Sequence, residues 1–465
     1  MMNRSPLLLT IAATSLGFVI IQLDVTIVNV ALVRIGANLG ATIAGLQWMI
    51  DAYTLAFATL LMSGGALGDR SGGRRVLVAG FVVFALASAM CGLARSGAEL
   101  VAARAVQGLG AALIVPNSLA LLNDACADNA AVRARALGLW NAAGGLAVAA
   151  GPVVGGLLLA VSGWRGIFLV NLPICALGIW LARFIKETPP HAPKTSIDIP
   201  GQLCAIVAVL AMTASIIECG ASGWRQPVVL AGAAAALAAG LVLIVIERRT
   251  PNPMLPLHLF RRPSFSAATC VGFLNNFAYY GLVFILGFYF QTVRHYSTIQ
   301  TGLAFVPLTG TVTVSNLLGS RLAAKSGPRL PMVLGFAIAT FAYAALHGIG
   351  ADTPYVRMLV PLAAIPFGLG LAIPAMTAAL LTSVERRRAG VASAIFTTVR
   401  QIGGAVGVAV FGAIVAAGGT AGMAGIHSVF FVCACSSALA CAVSAIGIRQ
   451  GGSLAREALS AASEE

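Results

Sequence analysis

The sequence predicts an all-α integral membrane protein with fourteen transmembrane helices. Three observations predict it: an apolar composition, apolar runs of spanning length that follow one another along the chain, and Lys and Arg concentrated in alternate connections. Of the 465 residues, 59% are hydrophobic and 9% charged, and mean hydropathy is +0.93. An ordinary soluble domain is about 25% charged. A soluble chain this apolar would have too little polar surface to cover itself, so lipid is the solvent for most of this one.

Runs of roughly 18 to 27 residues, long enough to cross a ~30 Å hydrocarbon core, fall at 8–33, 45–67, 75–94, 98–122, 134–160, 164–184 and 201–219. They continue at 226–246, 265–290, 301–322, 330–349, 355–382, 390–416 and 427–447. Arg4 before the first run suggests a signal peptide. The run is longer than such a region and lacks a small-residue cleavage site, so it is expected to be a span.

Fourteen spans put both termini on one side. Of the 29 Lys and Arg residues, 21 fall in connections on that side, among them Arg70, Arg74, Arg75, Arg248, Arg249, Arg386, Arg387 and Arg388. The opposite side holds six, Arg34, Arg95, Arg165, Arg225, Arg294 and Arg357, while Arg104 and Arg400 lie within runs. By the positive-inside rule both termini are cytoplasmic, and the expected location is the cell (inner, cytoplasmic) membrane. The net charge of +14 is this topology signal. It calls for no nucleic-acid partner, and no basic cluster with interleaved aromatics is present. Eight of the nine cysteines fall in spans and none has metal-ligand spacing, so they read as small packing residues.

The chain repeats itself. "GALGDRSGGRRVLVAG" at 65–80 is echoed by "SRLAAKSGPRLPMVLG" at 320–335, and "QGLGAALIVP" by "FGLGLAIP", at an offset of about 255 to 260 residues. Six spans in each half leave two over, at 201–246, and the arrangement is 6+2+6. The expected domains are 1–186, an N-terminal six-helix bundle; 187–262, two extra helices with cytoplasmic linkers; 263–449, a C-terminal six-helix bundle; and 450–465, a cytoplasmic tail.

Four motifs carry chemistry. In "GALGDRSGGRR" at 65–75, Gly65 and Gly72 allow a tight interfacial turn, and Asp69 can cap a helix end or pair with an arginine such as Arg70 or Arg74. "RAVQGLGAALIVP" at 104–116 buries Arg104 about six residues in from the outer face, the rival reading being a snorkelling arginine. "GPVVGG", with Gly151, Pro152, Gly155 and Gly156, allows close helix approach and a kink. "LDVTIVNVAL" and "QWMIDAYTLAFA" place Asp24 and Asp51 inside spans, accompanied by "VRQIGGAVG" at 399–407 in the second half.

In this order and in these loops, the motifs make the chain resemble the major facilitator superfamily, specifically its fourteen-span drug:proton antiporter branch, over essentially its whole length. The resemblance implies the major facilitator fold and a role for Arg104 in proton transfer. It also makes "GPVVGG" the mark of an antiporter, with Ala147 standing where the pattern has its first glycine. The repeat departs from itself where Ala324 matches Asp69, so a charge-gated contact is weaker in the second half.

Intramembrane charge is costly and marks ion pathways. Asp24, Asp51 and Arg104 are expected to share a layer and form the proton-coupling site, Asp24 carrying the proton, with a capping role as the rival for Asp51. Arg400, near the middle of its span with no acidic partner in the second-half spans, is expected to shape substrate charge preference. "FLNNFAYYGLVFILGFYF" places Asn275, Asn276, Phe277, Tyr280 and Phe284 on one span as a lipophilic substrate site, lipid-facing packing being the rival reading for each ring.

No GxxxxGK[ST] loop is present. The five histidines are scattered and assemble no metal or hydrolytic cluster. The expectation is therefore a secondary active transporter and not an enzyme, with no metal and no cofactor. It would work as a monomer, driven by a proton gradient, exporting lipophilic drugs or toxic compounds from the cytoplasm by alternating access. The alternative is a dedicated exporter or flippase of one endogenous metabolite or lipid.

Overall fold

The computed structural model describes residues 4–126, 129–187, 198–250, 253–385, 389–417 and 423–448. The expected tail at 450–465, most of the linker before 198, and Arg386, Arg387 and Arg388 lie outside the described residues.

The described chain is helical throughout: α1 Arg4–Leu39, α2 Ile43–Ser71, α3 Gly73–Leu93, α4 Gly97–Ala125, α5 Ala130–Leu169, α6 Asn171–Ala182, α7 Ile199–Ser222 and α8 Pro227–Arg249. It continues with α9 Pro263–Phe288, α10 Thr298–Ala304, α11 Val306–Gly310, α12 Val312–Ser326, α13 Arg329–Leu346, α14 Tyr355–Thr382, α15 Ala389–Ala417 and α16 Met423–Gly447. Among the described residues 13 helical stretches are long and apolar enough to cross a membrane, and Asn171–Ala182 is apolar but shorter. The protein is thus a multi-pass membrane protein. The difference from fourteen equal spans arises around Gly163, whose non-helical φ of 68° kinks the chain inside α5, so that the start of the expected sixth run belongs to α5 and only the short α6 remains of it.

Short polar connections start the helices. Thr42, Ser96 and Asp198 accept from the backbone N–H groups of Gly45, Glu99 and Gly201, satisfying donors that helix N-termini leave open. Ser297 and Gln300 form a reciprocal capping box at the start of α10.

The chain divides into two compact units. The first comprises Met1–Met254, Val283–Val306 and Val408–Ala416; the second comprises Leu255–Leu282, Pro307–Gly407 and Ala417–Glu465. The core of the first gathers Ile20, Tyr53, Phe57, Phe81, Phe84 and Ile114 from α1 to α4.

The sequence repeat has a physical counterpart in helix crossings. In the first unit α3 and α4 cross so closely that a Cβ at Gly80 would lie 3.2 Å from the Gly110 carbonyl, and one at Gly110 would lie 2.8 Å from the Phe84 nitrogen. In the second unit Gly335 of α13 and Gly368 of α14 face each other's carbonyls. Gly64 lies on Ala112 and Gly144 on the Phe18 ring; Gly319 lies on Leu371 and Gly403 on Phe273. Each second pair stands 255 to 259 residues after the first. Lipid offers apolar helices no hydrophobic drive to associate, so backbone approach at small residues supplies the packing. Gly335→Val is therefore expected to cost about 1–3 kcal/mol through overpacking, read as a lower unfolding midpoint in detergent.

Helices α7 and α8 pack mainly on each other. Their outer faces, with Leu203 and Val207 on α7 and Leu237 and Leu241 on α8, remain exposed. The pair is fastened to α2 by Gln202, whose amide donates to the Thr59 carbonyl at 2.6 Å and accepts from the Ser63 hydroxyl at 2.6 Å.

Candidate functional site

A polar network sits inside the first unit, walled by apolar helices. Arg104 on α4 is 2% exposed and Asp24 on α1 is 1% exposed, so neither charge is held by water. They hold each other: Arg104 Nη1 lies 2.5 Å from Asp24 Oδ2. Each makes further hydrogen bonds. Arg104 donates to Gln107 Oε1 at 2.6 Å and through Nε to the Met49 carbonyl at 3.1 Å, and its guanidinium lies 4.2 Å from the centre of the Tyr53 ring. Asp24 Oδ1 accepts from Gln107 Nε2 at 2.9 Å and Asn171 Nδ2 at 3.1 Å, and Gln107 also donates to Ser88 Oγ at 2.9 Å. Helices α1, α2, α3, α4 and α6 all contribute. An ion pair in such surroundings persists only with this degree of hydrogen bonding, because desolvation costs several kcal/mol per ion.

Asp51 stands apart from this network. It is fully buried, and neither carboxylate oxygen has a hydrogen-bond partner among the described residues. The expected three-residue cluster is therefore a pair, and the reason is rotation. Arg104 lies against Tyr53, and Asp51 precedes Tyr53 by two residues, about 200° round the helix. Asp51 instead shares its face with Gln47, one turn earlier. Gln47 is buried and donates to the carbonyls of Val408 and Ala409 on α15, at 3.1 and 2.7 Å.

The "GPVVGG" stretch and the "LDVTIVNVAL" stretch are partners. A Cβ at Gly155 would lie 3.2 Å from the Ile27 Cα, and Gly151 lies against Thr26. Gly156 approaches the Thr298 carbonyl of α10. So α1 presents Asp24 to α4 and α6, and Thr26 and Ile27 to α5, with Pro152 inside α5.

In the 65–75 motif, Gly65, Asp69 and Arg70 form the last turns of α2, Asp69 and Arg70 being exposed. Gly72, at φ 98°, ends that helix and admits α3 directly. Arg74 donates to the Ile185 carbonyl at 3.1 Å, and Arg74 and Arg75 approach Glu187 at 3.9 and 3.7 Å. These pairs are partly solvated and worth little individually.

The second unit holds a different arrangement. Arg400 on α15 is partly buried and reaches Asn276 Oδ1 on α9 through Nε at 3.4 Å and Nη2 at 3.3 Å. Its guanidinium lies 5.4 Å from the Phe396 ring centre. Asn275 donates to the same Asn276 oxygen at 3.1 Å. The Tyr280 ring lies beside Gly404, and Phe277 stacks on Phe273 at 6.2 Å. Phe284 is not part of this group; it is fully buried in the first unit, edge-on to Phe288 at 5.2 Å.

Gln107, Asn171, Ser88 and Gln47 escaped the sequence reading. Gln107 had a signal, lying three residues after Arg104 inside a quoted motif, the spacing that puts two side chains on one helix face. Gln47 had the same kind of signal, opening "QWMIDAYTLAFA" four residues before Asp51, while Asn171 and Ser88 had none beyond being polar in apolar runs.

Comparison with known proteins agrees with this architecture. A family model described as Major Facilitator Superfamily matches residues 14–408. The "Methylenomycin A resistance protein" of Streptomyces coelicolor is 41% identical over 383 residues, covering 82% of this chain and 80% of that protein. The "Multidrug resistance protein Stp" of Mycobacterium tuberculosis is 38% identical over 395 residues, covering 84% and 72%. The "Tetracenomycin C resistance and export protein" of Streptomyces glaucescens is 33% identical over 388 residues, covering 82% and 71%. Among solved structures, a POT family transporter in complex with 5-aminolevulinic acid superposes with a TM-score of 0.69 at 13% identity, over 95% of each chain. A bacterial homologue of the human lysosomal transporter Spinster, inward-facing and unoccupied, gives 0.66 at 16%, over 96% of each. Those two similarities concern the fold alone. The chain belongs to the Major Facilitator Superfamily, as a transporter and not an enzyme, among relatives that are antibiotic-resistance and drug-efflux proteins.

Proposed function

We propose that this protein is a proton-coupled antiporter that exports lipophilic drugs or toxic compounds from the cytoplasm by alternating access, as a monomer in the cell membrane. Helices in a 6+2+6 arrangement, with both termini cytoplasmic, belong to the same reading, supported by the distribution of Lys and Arg. The names of the relatives supply the substrate class. The proton supplies the energy, and of Asp24, Arg104 and Asp51 the last is the residue assigned to carry it.

The observation that carries the coupling is the opposite treatment of two buried carboxyl groups. Asp24 is matched by a guanidinium and two amides. Asp51 has no hydrogen-bond partner among the described residues. A lone carboxylate in an apolar interior is costly, and a conformational change that brings water or a cation to it alters its hold on a proton. Asp51 is thus the group that loads and unloads the proton. Asp24 and Arg104 form the fixed pair on which the first unit is built. Asn275, Asn276, Phe277, Tyr280 and Arg400 are assigned to substrate contact, with rings for lipophilic bodies and amides for orientation, and Phe284 is left out as a buried packing residue. Gly65, Asp69, Arg70, Gly72 and Arg74 form the gating loop, and Gly151, Pro152, Gly155 and Gly156 the tight α1–α5 seam of an antiporter.

Reconstitution in liposomes tests the reading. An imposed pH gradient is expected to drive ethidium or drug movement together with counter-directed proton flux, and a protonophore to abolish both. Transport that survives the protonophore would sink the coupling. The single-antibiotic names of several relatives favour a second reading, a dedicated exporter or flippase of one endogenous metabolite or lipid. A panel of chemically unrelated substrates distinguishes the two, since a dedicated exporter moves one class only.

A further inference from the structure

Two arginines lie within the spans, and their surroundings differ. Arg104 has a carboxylate, an amide and a carbonyl around it. Arg400 has no carboxylate within ion-pair distance among the described residues, and its only hydrogen-bond acceptor there is Asn276 Oδ1, shared by two of its nitrogens at 3.3 and 3.4 Å. A guanidinium carries five N–H donors, and a single long, shared amide oxygen that already accepts from Asn275 leaves most of them without an acceptor. The asymmetry follows the repeat. At the offset that relates Phe18 to Phe273, Asp24 corresponds to Tyr279, and at the offset that relates Gly110 to Gly368, Arg104 corresponds to Leu362. The second half therefore has no carboxylate in the place where the first half keeps one.

From this geometry we infer that Arg400 recognises a carboxylate, or a comparable acidic oxygen group, on the exported molecule, so that lipophilic aromatic acids are preferred over their neutral counterparts. The inference rests on the export reading above. Three further features fit that ligand. Arg400 is only partly buried, so it is reachable. Rings stand on either side of it: a Cβ at Gly272 would lie 2.6 Å from the Phe396 ring and 2.9 Å from the Arg400 side chain, while Tyr280 packs on Gly404 one turn along α15. Asn275, 4% exposed, keeps an Oδ1 with no partner, an acceptor for a hydroxyl or amide N–H on the same ligand. A carboxylate would accept two parallel N–H bonds from the fork and supply the missing counter-charge, which is where most of the affinity would come from.

The test is equilibrium binding to the purified protein in phosphatidylcholine nanodiscs at pH 7.5, titrating 2-naphthoate against its neutral counterpart 2-naphthamide by calorimetry. Wild type is expected to bind the acid about tenfold more tightly, the worth of one charged hydrogen-bond interaction. Arg400→Gln is expected to remove the preference, and Arg400→Lys to keep part of it. Equal binding of the two probes by the wild-type protein overturns the inference without any variant being needed. A preference that persists in Arg400→Gln also overturns it. An acid preference that vanishes when phosphatidylglycerol replaces part of the lipid would give the site to a lipid headgroup, and the substrate assignment falls. Because no gradient is involved, failure of proton coupling in liposomes leaves this result standing, and absence of an acid preference leaves export standing.

Discussion

Arg104→Gln is expected to abolish export and to destabilise the protein strongly, the largest single-residue effect anticipated here. The substitution leaves Asp24 buried and charged with only amide donors, and loss of one partner of a buried pair costs about 3–5 kcal/mol. Asp24→Asn is expected to do comparable damage by stranding the guanidinium. The double variant Asp24→Asn/Arg104→Gln, with neither charge present, is expected to recover most of the unfolding midpoint while export stays absent. A double-mutant cycle on detergent unfolding midpoints measures this, and additive losses would show that the pair is not coupled.

Asp51→Asn is expected to behave in the opposite way. Neither Asp51 oxygen bonds to a described neighbour, so a neutral amide of the same shape breaks no contact, and the unfolding midpoint should stay close to that of the wild type. Gradient-driven accumulation should fall to the level of passive equilibration, because the variant cannot pick up or release a proton at that point. Stability and pH-driven transport measured on the same preparation decide it. An Asp51→Asn protein that still concentrates substrate against its gradient would return the proton to Asp24.

The contrast between these variants also marks what the sequence could convey. Hydropathy and charge alternation report position along the membrane normal, so they placed Asp24, Asp51 and Arg104 at comparable depth. They do not report which neighbouring helix each face of α2 meets, because its polar residues and its rings are spread round the axis. Only its contacts show that Tyr53 meets Arg104 while Asp51 points elsewhere. The repeat was legible because glycine is scarce chemistry at a helix crossing: Gly80, Gly110, Gly335 and Gly368 must be small for the backbones to meet. The Gly163 turn was harder to see, since a glycine between two apolar runs reads equally well as a loop or as a bend. Asn171 and Ser88 were invisible because their value lies wholly in what α1 and α4 bring to them.

Helices α7 and α8 give the bilayer itself a lever on the transporter. At 24 and 23 residues they are about 35 Å long, more than a ~30 Å hydrocarbon core. With so much of their surface facing outward, hydrophobic mismatch is relieved by tilt. Gln202 ties α7 to Thr59 and Ser63 on α2, two to three turns from Asp51 on the same helix. A thinner or thicker membrane is therefore expected to load the helix that bears Asp51, and, if Asp51 carries the proton as proposed, lipid thickness is expected to change the rate of gradient-driven transport.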